Sequence, residues 1–418
     1  MLMMSKISEK FEVQGDKKNS DFFREYLPKI YDRREKSGID DLVEGLSAVV
    51  IQVEYGEAIK YLIEIYLMTP YRFSEGYISQ THKVFVLRNR DGYPSVIVLE
   101  PLDKNYFSKL SGIDVLYARA KEKPNARYMG EIYKTKNLKE TVGILEEQEF
   151  RFLVPENMVN RFLANENFRL SDISYFTNNL VGYSESDLDS LVGLGVGESF
   201  VPEREEQLQL DKVDEVYKAF GFDKLIQGID HMATRVLCHD RESAILELLS
   251  MTNYYFWGAY TIEEMNSSTN ICRNPNIEDE LLSPAKVFTA NNTPFYTKTI
   301  DGLPSPTEDF VRNFGKRMHH MAYAIADGEQ EGGVKNIDYV VGELYKKEVP
   351  FLADVIGECK DFPDLKQIFS KSSSLSFLIT EYVQRCHGFE GFFTKDNVAS
   401  LTEAAGADEA LQKADVCD

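Results

Sequence analysis

The sequence is short of cysteine, of long apolar runs and of positive charge, and each shortage excludes a class of protein. Its five cysteines are scattered, odd in number and without a Cys-x-x-Cys pair, so a zinc site built on cysteine is not expected. They predict reduced thiols and a cytoplasmic location. No run of about 18 apolar residues occurs, so no membrane-spanning helix is expected. The first residues turn charged after four positions, unlike a signal peptide.

The charge balance excludes further partners. Sixty-eight acidic residues face 47 basic ones, which gives a formal net charge of −21. This excess argues against nucleic acid and against anionic membranes as partners. Apolar residues make up 43% of the 418 positions, which is enough chain for two domains with sizeable cores.

Two predicted strands carry the same His-Met-Ala sequence. One reads GIDHMATRV and contains His231, and the other reads RMHHMAYAIAD and contains His319 and His320. Repetition of one pattern at this spacing indicates duplicated modules of one design. A single histidine would more often be an ordinary core residue, but the repeated context favours two histidines with a shared role.

A third stretch, residues 367–401, adds a carboxylate. Its apolar strand ends in Glu381, and a carboxylate in such surroundings needs a cation or a proton. Two histidines and one carboxylate form the facial triad of non-haem Fe(II) oxygenases. Neighbours on a strand point to opposite faces, so only one of the adjacent histidines is expected at the metal. The His-Met-Ala match selects His320 and leaves His319 at the edge of the site or packed in the core.

These stretches resemble the 4-hydroxyphenylpyruvate dioxygenase family of the vicinal oxygen chelate superfamily. The resemblance spans roughly residues 45 to 406, and its strongest part is C-terminal. It rests on motifs that occur here in the family's order: Asp230-His231, His319-His320-Met321-Ala322, Gln367-Ile368-Phe369-Ser370-Lys371, Glu381, Gln384-Arg385, and GFEGFF followed by Asn397.

The resemblance implies an α+β fold of two domains, each made of paired βαβββ modules, with the metal in the C-terminal domain. We therefore predict five segments: an N-terminal extension, partly disordered or helical (1–45), an N-terminal domain without metal (46–187), a linker (188–224), a catalytic domain (225–406) and a polar tail (407–418). Ser47 and Ala48 stand where a first N-terminal histidine would be. His82 is expected on a surface strand.

The family's chemistry implies a role for each matching residue. His231, His320 and Glu381 would bind Fe(II), and the substrates would be dioxygen and an aromatic 2-oxo acid. The acid would be oxidatively decarboxylated and hydroxylated to a homogentisate-type product. Gln367 would hydrogen-bond the substrate, Phe369 and Phe393 would stack on its ring, and Asn397 would open the helix that closes the pocket. Ordinary core packing is an equal alternative for each phenylalanine alone.

The sequence departs from the family at the pocket. His319 replaces a glutamine, and Val398 replaces an aromatic residue, which predicts a wider pocket on the side of the closing helix. Several readings stay open: a mandelate-forming enzyme, an enzyme for another 2-oxo acid, an extradiol-type ring-cleaving enzyme with His319 or His387 as acid–base group, and a catalytically silent binding protein. A homo-oligomer is also left open.

Overall fold

The computed structural model describes residues 13–90, 92–153, 167–186, 197–275, 279–297, 302–360 and 362–407. Three predicted segments lie partly outside these ranges. They are the N-terminal extension at its start (1–12), the linker in its first part (188–196) and the polar tail in nearly all of its length (408–418). No helix in the described ranges is long and apolar enough to cross a membrane.

The N-terminal half forms a mixed eight-stranded sheet. Its spatial order is β7-β8-β6-β2-β5-β4-β3-β9. The strands are β2 (Val43–Gln52), β3 (Arg72–Ile78), β4 (His82–Arg88), β5 (Ser95–Pro101), β6 (Arg127–Thr135), β7 (Arg169–Leu170), β8 (Leu180–Ser184) and β9 (Glu198–Phe200). The helices that go with them are α3 (Ala58–Met68), α4 (Lys109–Asp114) and α5 (Leu138–Glu147).

The C-terminal half forms a second sheet of eight strands with a corresponding order, β1-β11-β12-β13-β10-β14-β16-β15. Its strands are β1 (Gln14–Gly15), β10 (Ile226–Arg235), β11 (Tyr255–Ile262), β12 (Ser267–Arg273), β13 (Ala285–Asn291), β14 (Arg317–Ile325), β15 (Asp364–Phe369) and β16 (Ile379–Cys386). Its helices are α8 (Arg241–Met251), α9 (Pro306–Phe314), α10 (Asn336–Tyr345) and α11 (Lys395–Ala407).

Each sheet is built from two repeats of one module. In the first repeat a strand and a helix lead into three strands, and the first and last strands pair in parallel, as β2 does with β5 and β10 with β13. In each half the two repeats meet through one antiparallel pair, β2 with β6 and β10 with β14. The predicted α+β fold of paired modules is confirmed.

The predicted N-terminal extension is part of the C-terminal half. It contains α1 (Lys17–Ser37) and α2 (Ile39–Leu42), and β1 extends the second sheet by pairing with β11. Arg34 on α1 is fully buried, and its Nη1 donates to the carbonyl oxygens of Leu249, at 3.0 Å, and Tyr254. These bonds fix the helix to the chain that follows it by more than 200 residues.

The described part of the predicted linker is folded. It contains β9 on the edge of the first sheet, followed by α6 (Arg204–Ala219) and α7 (Phe222–Leu225). Helix α6 packs along α3 and buries Leu210 and Tyr217. Asp214 on α6 pairs with Arg72 at 2.5 Å. The charged residues of α6 therefore form the outer face of a packed helix.

The two sheets contact each other through side chains of β6, β10 and β13. Tyr128 on β6 donates a hydrogen bond to the sulfur of Met232 on β10 at 3.6 Å. Lys286 on β13 forms an ion pair with Glu131 on β6, and both side chains are buried. One hydrophobic core cluster contains residues of both halves, and a separate cluster lies within the N-terminal half.

Two expectations from the sequence were wrong. Cys359 and Cys386 form a disulfide, because the connection before β15 brings their Cα atoms to 5.7 Å. Cysteine spacing alone could not reveal this disulfide. Without the prediction of reduced thiols, the cysteines no longer support a cytoplasmic location. His82, expected at the surface, is fully buried because Tyr106 packs against its ring, and burial lowers its pKa to about 4.

Candidate metal centre and its cavity

Three side chains from three neighbouring strands meet inside the second sheet. His231 lies on β10, His320 on β14 and Glu381 on β16, and the strands are hydrogen-bonded neighbours. All three residues are buried, and one potential ligand atom from each lies within 4.8 Å of the others. The Nε2 atoms of both histidines approach the same oxygen, Oε2 of Glu381, at 3.1 and 3.3 Å. It is the one such group found in the described ranges.

The converging atoms are left without hydrogen bonds. Among the described residues, the buried His231 Nε2 and Glu381 Oε2 have no hydrogen-bond partner, which is costly unless something else satisfies them. Burial lowers the pKa of His231, but the carboxylates of Glu381 and Asp230 outweigh it and raise that pKa to about 9. Burial and the neighbouring charges of His231 and Arg235 lower the pKa of His320 well below its usual value. Two imidazoles with one carboxylate suit Fe(II).

Surrounding residues orient two of the three groups. Asp230 Oδ1 accepts a hydrogen bond from His231 Nδ1 at 2.8 Å, and Arg385 binds both oxygens of Asp230. This leaves the lone pair of His231 Nε2 for a metal. Gln367 Nε2 donates to the other oxygen of Glu381, Oε1, at 2.7 Å.

An irregularity in β14 brings His319 to the same site. Ala233 on β10 is opposite His320, but the next residue, Thr234, is opposite Met318. His319 is therefore an extra residue, a bulge that breaks the alternation of side chains. Its Nδ1 lies 2.8 Å from Nδ1 of His320. With a proton on His320 Nδ1, this contact is a hydrogen bond that His319 accepts, and Nε2 of His320 is free to bind a metal.

A cavity lies between strands β10, β12, β13, β14, β15 and β16 and helices α9 and α11. On β12, β13 and β15 its lining residues recur at every second position, as alternation requires, whereas the bulge in β14 brings in the neighbours His319 and His320. The lining residues are His231, Arg235, Ser267, Thr269, Val287, Thr289, Thr307, His319, His320, Gln367, Phe369, Glu381, Phe393, Val398, Leu401 and Thr402. Phe369 packs against His320 with ring centroids 4.8 Å apart, and Phe393 against His231 at 5.1 Å. The cavity thus has an aromatic wall beside each histidine.

The structure distributes the residues named from the sequence as follows. Gln367, Phe369 and Phe393 line the cavity, and Val398 lines it from α11. Asn397 lies behind it: its Nδ2 donates to the Leu365 carbonyl oxygen at 3.0 Å and to Gln367 Oε1 at 3.3 Å.

The remaining histidines lie elsewhere. His387 is exposed in a turn with φ of 55°, and His239 is exposed beside Asp240. Neither lines the cavity. Sequence reasoning missed Arg235, four residues after His231, although a second charged residue in the strand that carries His231 was a signal for it.

Comparison with known proteins rests on structure alone. No protein-family model matches the sequence, and no curated protein matches it. A mutant of 4-hydroxymandelate synthase from Streptomyces coelicolor matches with a TM-score of 0.57 at 12% identity, covering 87% of this chain and 98% of that one. The chain has the vicinal oxygen chelate fold.

A second protein of this fold is similar over the same share of the chain. It is a fusion of a xylose isomerase-like TIM barrel with a 4-hydroxyphenylpyruvate dioxygenase, with a TM-score of 0.53 at 13% identity. The match covers 87% of this chain and 52% of the fusion protein. The predicted resemblance to the 4-hydroxyphenylpyruvate dioxygenase family is thus confirmed at the level of the fold.

Proposed function

We propose that the protein is an Fe(II)-dependent dioxygenase that acts on a 2-oxo acid. The observation that supports this most is the meeting of His231, His320 and Glu381 with two unsatisfied ligand atoms in a buried cavity. Three protein ligands on one side leave room for a chelating substrate and dioxygen. A catalytically silent binding protein would have no need to keep these three groups together.

The residues around the site have clear tasks in this proposal. When bound, Fe(II) supplies the redox chemistry that activates dioxygen. Asp230 and His319 hold the two imidazoles so that each Nε2 is free, and Gln367 holds Glu381. Phe369 and Phe393 exclude water and give an aromatic substrate two flat surfaces.

We further propose the reaction class of 4-hydroxyphenylpyruvate dioxygenase: oxidative decarboxylation of an aromatic 2-oxo acid and hydroxylation of the same molecule to a homogentisate-type product. The mandelate-forming variant, which would act on the same substrate, stays the second candidate, because the neighbour with the higher TM-score is a mutant of 4-hydroxymandelate synthase. In this proposal residues 46–187 support assembly and hold no metal. His387 is exposed, which leaves His319 as the nearby histidine that an extradiol mechanism would need.

The test is anaerobic reconstitution with Fe(II), followed by titration with 4-hydroxyphenylpyruvate. We expect about one Fe(II) per chain and a visible charge-transfer band when the 2-oxo acid chelates it. His320→Ala should lose the metal, whereas His387→Ala, a matched change at an exposed histidine, should keep it. Full occupancy in His320→Ala would refute the ligand set, and a band with catechol but with no 2-oxo acid would favour ring cleavage.

A further inference from the structure

The cavity contains a second polar region beyond the candidate metal ligands, and Arg235 is its charged member. Arg235 lies on β10 four residues beyond His231, which is about 13 Å along a strand. Its side chain is 5% exposed and lines the cavity. Its Nη1 donates to the Pro306 carbonyl oxygen at 3.3 Å, and its guanidinium lies 5.1 Å from the Phe310 ring. The guanidinium is thus held against the first turns of α9.

This guanidinium is not neutralised by any carboxylate of the described residues. Within the described part of the chain, Arg235 forms no ion pair, and Glu381 is the one acidic residue that lines the cavity. Burial lowers the pKa of Arg235 to about 9, which still leaves it charged at neutral pH. An unpaired buried charge is strongly unfavourable, so a site that keeps one has a reason to do so.

Two further polar groups beside Arg235 have no hydrogen-bond partner among the described residues. Thr289 on β13 is directly opposite Arg235 in the sheet, and its Oγ1 has no hydrogen-bond partner. His319 lies in the bulge of β14 on the other side, and its Nε2 has none either. When His319 Nδ1 accepts from His320, Nε2 carries the proton. Three potential donors thus lie on three adjacent strands, and all three residues line the cavity.

The charges of the cavity agree with an anionic ligand at this place. A divalent ion with Glu381 leaves one positive charge, and Arg235 adds a second. A 2-oxo acid with a single carboxylate balances only the first of these. A guanidinium is well suited to bind a second carboxylate through two parallel hydrogen bonds.

We propose that Arg235, Thr289 and His319 form a carboxylate-binding subsite, and that the substrate is a 2-oxo acid with a second carboxylate at the end remote from the metal. This inference rests on the proposed function for the 2-oxo acid end and goes beyond it for the other end. It explains why the cavity combines aromatic walls with a buried cation.

The experiment compares 4-carboxyphenylpyruvate with 4-carbamoylphenylpyruvate, in which a neutral amide of nearly the same shape replaces the carboxylate on the ring. The third ligand is 4-hydroxyphenylpyruvate, which has neither group. Binding is measured by calorimetry on Zn(II)-substituted protein, which requires no turnover. We expect the carboxylate to bind about 10- to 100-fold more tightly than the amide, as for hydrogen bonds to a charged group. Arg235→Met should abolish this ratio and Arg235→Lys should keep part of it. Arg312→Met, on the same helix as Phe310 but outside the cavity, should leave it unchanged.

The outcomes separate the two proposals. Equal affinity for carboxylate and amide in the wild-type protein, or an unchanged ratio in Arg235→Met, would overturn the subsite while the 2-oxo acid site stands. A further titration of metal-free protein with benzoate and benzamide examines the subsite alone. If benzoate binds in an Arg235-dependent way while no 2-oxo acid binds the metal form, the subsite stands and the proposed dioxygenase function fails.

Discussion

Replacing Asp230 by asparagine should weaken metal binding without removing a ligand. Asp230 accepts one hydrogen bond from His231 Nδ1 and two from Arg385. Asparagine has one acceptor oxygen, so its amide group must face either the guanidinium or the imidazole. If it faces the imidazole, the proton moves to Nε2 of His231, which can then no longer bind a metal.

The size of the effect follows from that arrangement. Loss of an orienting partner typically lowers metal affinity about 10- to 100-fold, or ~1.4–2.7 kcal/mol. Stability should also fall, because Arg385 is mostly buried and loses its anionic partner. The two effects need to be separated.

Asp240→Asn is the matched control. Asp240 is also buried, but its ion pairs are with His239 and with Lys316, the latter at 3.0 Å, and not with a candidate metal ligand. Both variants should lose stability in urea, and only Asp230→Asn should lose affinity for Fe(II) in anaerobic competition with a chelator. Equal Fe(II) affinities in Asp230→Asn and the wild-type protein, or equal losses in both variants, would refute the reasoning.

Three further predictions concern other buried groups. His319→Leu should weaken metal binding about tenfold or more, with His319→Gln less affected because its amide oxygen can still accept from His320; equal affinities would count against the tautomer argument. Burial raises the pKa of Glu64 from 4.5 to about 7, so its contribution to stability is complete below pH 4.5 and is lost as the pH rises through 7. Glu64→Gln should therefore be more stable than the wild-type protein in urea at pH 8 and equal to it at pH 4.5. The gain at pH 8 should be about 1–3 kcal/mol, because solvent that reaches the partly exposed Glu64 reduces the penalty of its charge. Lys286→Met should cost about 3–5 kcal/mol by leaving Glu131 unpaired, and adding Glu131→Leu should restore most of it; no recovery in the double variant would contradict this.

Sequence reasoning reached the candidate triad because the chemistry needs particular residue types in a repeated context. His231 and His320 share the His-Met-Ala pattern, and Glu381 ends an apolar strand. The modules were predictable for the same reason, since duplication leaves two similar strand starts.

The parts that were missed depend on contacts between distant residues. Strict alternation of side chains separates His319 from His320, and only the pairing of β14 with β10 reveals the bulge that joins them. Gln367 was expected to contact substrate, and its bond to Glu381 depends on the pairing of β15 with β16. The Cys359–Cys386 disulfide likewise follows from the fold and leaves no spacing signal.

The pairing of β1 with β11 has a consequence during protein synthesis. Gln14 is the partner of Gly258, so the first strand leaves the ribosome long before its partner exists. At ~5–20 residues per second, the roughly 240 residues between them take about 12–50 s to make. Until then β1 and the buried face of α1 cannot take their places against β11. Slower translation prolongs this exposure and gives a neighbouring nascent chain more time to exchange the segment.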